Sequence, residues 1–176
     1  FTILFFSFLI NYSAEAYWEP AKNGDKIILI RHSKAPGFGD PPGFRIKDCK
    51  TQRNLSKEGI EQSKKIGKLF QKNQIKIDQV LSSQWCRCKD TAKYAFKNFE
   101  EFQALNSTFQ PPYDKNAKKQ IKELKDFIQK WNGKGGNLVL VTHYVIITAI
   151  TDVVPRSGEI VIIDKNFKTL STILTN

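Results

Sequence analysis

The chain has 176 residues, a length that suits one domain with a real core. Its 40% hydrophobic content is that of an ordinary globular protein, and the net charge of +11 with a pI near 9.6 attracts anions: phosphate esters, anionic membrane surfaces or nucleic acid. The lysines are spread along the helices with no nucleic-acid motif beside them, which sets nucleic acid aside; a solvated lysine surface with no partner is an equally good reading.

The chain opens with the apolar run "FTILFFSFLI" and then "NYSAEA", where Ala14 and Ala16 form the small-x-small pattern of a signal-peptidase site. The run is shorter than the roughly 20 residues a bilayer span needs. Residues 1–16 therefore read as a truncated secretory signal, with an uncleaved anchor as the alternative, and 17–176 as the folded domain. Periplasmic or secreted location follows as an expectation, with membrane contact only transient.

Next comes "KIILIRHSK". Ile27 to Ile30 read as a buried strand that ends in Arg31 and His32. Residues 33–55 read as a long loop, because "PGFGDPPGF" forbids regular structure. Ser56 opens a helix to about Asn73, with Gly59 tolerated in its first turn and Ile60, Ile66, Leu69 and Phe70 turned inward. Gln79 to Ser82 is a short strand. A helix starts near Cys86, with Cys88, Ala92, Ala95 and Phe99 on one face. Phe102 to Leu105 is a candidate strand, and "QPPYD" breaks the chain. Residues 115–131 form a helix with the stripe Ile121, Leu124, Ile128 and Trp131. Leu138 to Thr142 is a second buried strand, and His143 leaves its end. A short apolar helix reaches about Asp152, and strands at Glu159 to Ile163 and Thr169 to Leu174 close the chain.

Strands alternating with helices imply an α/β/α sandwich with a mostly parallel sheet. Unbroken apolar runs fit strands buried on both faces. Ligands in such sheets bind at the carboxyl ends of the strands. Both histidines of the chain sit there, and so does the "SSQWCRC" turn that carries Arg87. If these ends converge, Arg31, His32, Arg87 and His143 make a site for a dianion. Guanidiniums bind phosphate oxygens bidentately, helix amino ends add N–H groups, and neutral imidazole can attack phosphorus.

Three cysteines, Cys49, Cys86 and Cys88, in an exported chain predict one disulfide, from Cys49 to Cys86 or Cys88. Their spacing with the two histidines matches no common zinc site.

"RH" after the first strand, "RNLSKEG", "SSQWCRCKDTA" and "VLVTHY" stand in an order that resembles the histidine phosphatase, or phosphoglycerate-mutase-like, superfamily over about residues 25–165. The 33–55 loop with "WCRC" resembles a narrower group of exported bacterial members, relatives of the lipopolysaccharide core heptose phosphatases. The resemblance implies a phosphomonoester hydrolase in which His32 becomes phosphorylated, Arg31, Arg87 and His143 hold the phosphoryl oxygens, and Arg53 reaches the same pocket. It implies no metal and no cofactor, and a substrate such as a phosphosugar or glycolipid. Mutase activity is not expected, because the segment between Phe99 and Lys115 is short, and that shortness suggests an open pocket. Two departures concern the general acid: Tyr144 follows the second histidine, and Ser107 stands where members carry a glutamate. Asp40 in the Gly/Pro loop is the candidate acid, with Glu159 next. A non-catalytic phosphate-binding module and a zinc hydrolase are the alternatives.

Overall fold

The structure is a computed structural model that describes residues 15–133 and 135–175. The proposed signal segment lies outside the described residues except for Glu15 and Ala16. The elements are α1 (Glu19–Lys22), β1 (Ile27–Arg31), α2 (Lys57–Lys72), β2 (Ile77–Ser82), α3 (Cys86–Phe96), β3 (Glu100–Glu101), α4 (Ala117–Lys130), β4 (Asn137–Thr142), α5 (Tyr144–Thr151), β5 (Ile160–Ile163) and β6 (Thr169–Ile173).

Six strands form one sheet in the order β3-β2-β4-β1-β5-β6. β1 to β4 are mutually parallel, β5 runs antiparallel to β1, and β6 runs antiparallel to β5. The expected three-layer sandwich follows from side-chain alternation. Ile28, Ile30, Val139, Val141, Ile160 and Ile162 face α2 and α3 through Ile66, Phe70, Cys88 and Ala92. Ile27, Leu29, Leu138, Leu140, Val161 and Ile163 face α4 and α5 through Leu124, Ile128, Ile146 and Ile150. Leu140 has no exposed surface; truncating it to alanine costs about 2–5 kcal/mol, transfer and cavity terms together.

Local chemistry sets where the elements begin. The Ser56 hydroxyl caps α2 by accepting the Gly59 N–H at 3.1 Å. Gly59 is required rather than tolerated, since a Cβ there would lie 2.1 Å from the Lys34 carbonyl oxygen. That close approach pins the chain two residues beyond His32, and the Ser56 N–H donates to the same carbonyl at 3.0 Å.

The candidate strand at Phe102 to Leu105 is corrected. β3 is only Glu100–Glu101, and Gln103–Leu105 form a 3-10 turn. The turn buries Ala104 and Leu105 side by side, and the Leu105 carbonyl accepts the Thr142 hydroxyl at 2.6 Å. The 33–55 loop also contains a 3-10 turn, Cys49–Thr51, capped by the Asp48 side chain.

Candidate active site

β2, β4 and β1 are neighbours, and their carboxyl ends align. Arg31 pairs with Thr142, and Ser82 with Val141. Just past these ends the His32 N–H donates to Thr142 O and the Ser83 N–H to Val141 O, both at 2.9 Å. His143 then starts α5 in extended conformation. The two imidazoles therefore meet, with centroids 5.5 Å apart. They lie in a cavity of about 220 Å³ whose lining includes Arg31, His32, Asp40, Arg53, Arg87 and His143, all six residues proposed from the sequence.

His32 is buried, and its Nδ1 lies 2.9 Å from the Ser33 carbonyl. A carbonyl only accepts, so Nδ1 carries the proton and Nε2 keeps its lone pair. The Ser33 N–H donates to Thr91 Oγ1 at 3.0 Å, and the Thr91 hydroxyl donates to the Arg87 carbonyl at 2.7 Å. One hydroxyl thus ties the chain after His32 to α3. Burial first, then the Arg87 charge, pushes the His32 pKa well below its usual value. The imidazole is neutral at neutral pH, as a nucleophile requires.

His143 is likewise driven well below its ordinary pKa by burial and then Arg87. Its Nε2 lies 2.9 Å from Ser83 Oγ and 3.4 Å from Cys88 Sγ. Nδ1 is then the ring nitrogen left for a ligand. The Cys88 thiol is buried and its pKa is pushed up to about 12, so it stays protonated and inert as a nucleophile.

The arginines divide the work. Arg87 Nη1 donates to Asp40 Oδ1 and Oδ2 at 2.8 and 3.1 Å, while Arg87 Nε is buried with no partner. Arg31 Nη1 donates to Pro155 O at 2.9 Å, its guanidinium lies over the Tyr144 ring, and its Nε is also buried without a partner. Buried orphan donors are costly. Two of them on cations lining one cavity point to an anionic ligand. Arg53 lines the same cavity but braces the loop, with Nε donating to Gly39 O at 2.7 Å and Nη1 to Ala35 O. The lining holds three guanidiniums and one carboxylate, so two positive charges are unbalanced, as a phosphate dianion needs.

Asp40 accepts from Arg87, from Trp85 Nε1 at 2.9 Å and from the Arg53 N–H at 3.0 Å. Burial pushes its carboxyl pKa up. The Arg87 hydrogen bond and charge, with the Arg53 and Trp85 donors, outweigh burial and leave it below the usual value. An ionised carboxylate saturated by donors has no proton to give. Glu159 accepts the Arg156 N–H at 2.7 Å and is not part of the lining. Ser107 and Tyr144 do line it.

Sequence reasoning missed Trp85, which lines the cavity and holds Asp40, and Ser83 and Thr91, which hold His143 and the Ser33–Arg87 link. Ser83 and Thr91 stood in the quoted "SSQWCRCKDTA" block without a role. The amino end of α3 gives the cavity less than expected, because the Cys86 N–H is taken by Gln52 Oε1 at 3.0 Å. The disulfide joins Cys49 to Cys86, with Cα atoms 5.6 Å apart, and holds the 33–55 loop against α3 beside Arg87. Among the described residues there is no group of three or more His, Cys, Asp or Glu that could hold a metal ion. None of the described helices is long and apolar enough to cross a membrane.

A neutral imidazole lies among guanidiniums at the carboxyl edge of a mostly parallel sheet in this α/β protein. The sequence matches the histidine phosphatase superfamily (branch 1) over residues 27–133, and the chain belongs to that family. No curated protein sequence matches it. The fold is similar to TTHB049 of Thermus thermophilus, at 16% identity and TM-score 0.60, covering 85% of this chain and 98% of that one. It is also similar to the protein histidine phosphatase SixA, solved with tungstate, at 13% identity and TM-score 0.59 over 85% and 97% of the two chains. The product of the Mycobacterium tuberculosis open reading frame Rv3214 matches at 15% identity and TM-score 0.57, over 78% and 89%.

Proposed function

We propose that the chain is a metal-independent phosphatase that works through a phosphohistidine on His32. The observation that carries this is the Ser33 carbonyl at His32 Nδ1, which fixes the lone pair on Nε2 inside a cavity lined by three arginines. Nε2 attacks phosphorus, the bond from phosphorus to the leaving group breaks, and the departing atom keeps that electron pair. The imidazole ring becomes cationic and keeps its Nδ1–H on Ser33. Arg31, Arg87 and His143 hold the phosphoryl oxygens while charge builds on them. Water then attacks the phosphohistidine, and phosphate and neutral His32 are restored. SixA, a family neighbour in fold, binds the tetrahedral oxyanion tungstate, which agrees with this use of the site.

Asp40 in this reading holds Arg87 in place and does not protonate the leaving group. The substrate then carries a group that departs with no proton from the protein: an acyl or aryl phosphate, or a phosphoramidate already protonated on its nitrogen. The phosphosugars and glycolipids suggested by the heptose phosphatase resemblance depart as alkoxides, which this lining is poorly equipped to protonate. The Cys49–Cys86 disulfide supports a periplasmic or secreted setting, since such bonds persist in oxidising compartments. Rapid quench with a ³²P-labelled acyl phosphate should trap an acid-labile phosphoenzyme in the native protein and none in His32→Ala. Turnover by His32→Ala above trace level would show the covalent route to be wrong.

A further inference from the structure

We propose that Phe38, Phe109, Tyr144 and Val154 form a leaving-group subsite that accepts a phosphoryl group carried directly on a flat ring. The inference rests on the phosphatase reading above and narrows its substrate class. All four residues line the same cavity as His32 and the arginines. Phe38 is 85% exposed and Val154 is 70% exposed. Six large hydrophobics are exposed among the described residues, and two of them sit at this one mouth.

The rim is built rather than incidental. Gly37 and Gly39 flank Phe38 at φ of +97° and +64°, a region open to glycine, and so turn the loop outward at that residue. The loop is latched on both sides of Phe38. Arg53 holds the Ala35 carbonyl before it and the Gly39 carbonyl after it, and the Asp40 N–H donates to Gln110 Oε1 at 2.9 Å. Phe38 meets Phe109 edge to face at 4.9 Å, and Phe109 lies 6.1 Å from Tyr144. Tyr144 in turn carries the Arg31 guanidinium on its ring at 5.3 Å. An aromatic path therefore leads from solvent to a cation of the phosphate cradle. A cavity of about 220 Å³ is below the roughly 300–1,000 Å³ of pockets that enclose larger ligands. It admits a phosphoryl group and a ring, and a larger carrier would extend past the exposed Phe38 and Val154 at the mouth. The ring faces of this rim stack on a flat ring. Aryl oxygen departs without a proton from the protein, and imidazole nitrogen does so when the substrate ring already carries a proton on its other nitrogen and leaves as neutral imidazole.

Binding of phenylphosphonate and methylphosphonate separates the rim from the cradle without requiring turnover. Calorimetry on the native protein should find phenylphosphonate tighter by about tenfold. In Phe38→Ala, whose exposed side chain is not needed for folding, that ratio should fall toward one. Equal binding of the two by the native protein, or an unchanged ratio in Phe38→Ala, overturns the subsite and leaves the phosphatase reading standing. Binding of neither overturns the phosphate cradle itself. Turnover of phenyl phosphate or of 1-phosphoimidazole supports the subsite and tells whether oxygen or nitrogen bears the ring. Turnover of acetyl phosphate with neither of these overturns it.

Discussion

Asp40→Asn tests how the site is held together. The Arg87 and Asp40 side chains are 4% and 2% exposed, so their ion pair is shielded from water. The substitution removes the charge but keeps the shape. Arg87 Nη1 then keeps a 3.4 Å contact to the Arg53 carbonyl and at best one amide oxygen shared with Trp85. Breaking a buried pair costs about 3–5 kcal/mol; because the asparagine oxygen still accepts one bond, the lower end, about 3 kcal/mol, is expected. That is affordable for a domain of about 5–15 kcal/mol, so the variant should fold. The loss should follow pH in a defined direction. The Asp40 pKa is lowered in the folded state, so its contribution is complete above the unfolded carboxyl value of about 4 and fades as pH falls through the lowered folded value. Urea unfolding of both proteins at pH 7 and pH 3 should show the gap narrowing in acid. A displaced guanidinium costs about 10²-fold in rate. It acts on the phosphoryl group common to all substrates, so kcat/KM for aryl and alkyl phosphates should fall by similar factors. A general acid behaves differently: its loss slows alkyl phosphates by about 10²–10⁴-fold and spares aryl ones. Unchanged aryl phosphate turnover beside slowed alkyl turnover would refute the positioning role and return Asp40 to the proton donor expected from sequence.

Because burial and then Arg87 hold free His32 neutral, kcat/KM for a substrate corrected for its own ionisation should stay level as pH falls through 6.5, the ordinary imidazole value; an enzyme midpoint at or above 6.5 contradicts this. Chelators should leave the rate unchanged, and loss with EDTA that zinc restores would establish a metal mechanism instead. Mass spectrometry of a non-reduced digest should recover a Cys49–Cys86 peptide with Cys88 free, and Cys49→Ser should lower stability by about 2–4 kcal/mol; a Cys49–Cys88 peptide would sink that assignment.

The sequence by itself determined the layers and the chemistry they deliver. Four-residue apolar runs at Ile27 and Leu138 read as strands covered on both faces, and β1 and β4 are buried so. Ser56, Asn73 and the stripe of α4 mark their helices through capping and period, which are properties of neighbours along the chain. It also set both histidines at strand ends, because each follows directly on an apolar run. Tertiary structure decided what depends on residues far apart in sequence. Strand order put β4 between β1 and β2, which is why His32 and His143 meet. Cys86 and Cys88, two residues apart on a helix, face different ways, and only packing of the 33–55 loop selected Cys86 while Cys88 turned toward the sheet. Asp40 looked like a free acid because nothing near it in sequence neutralises it. Its partners, Trp85 and Arg87, lie 45 and 47 residues away and reach it only after the loop folds across α3. A pKa is a property of the assembled surroundings, so the role of that carboxylate had no local signature to read.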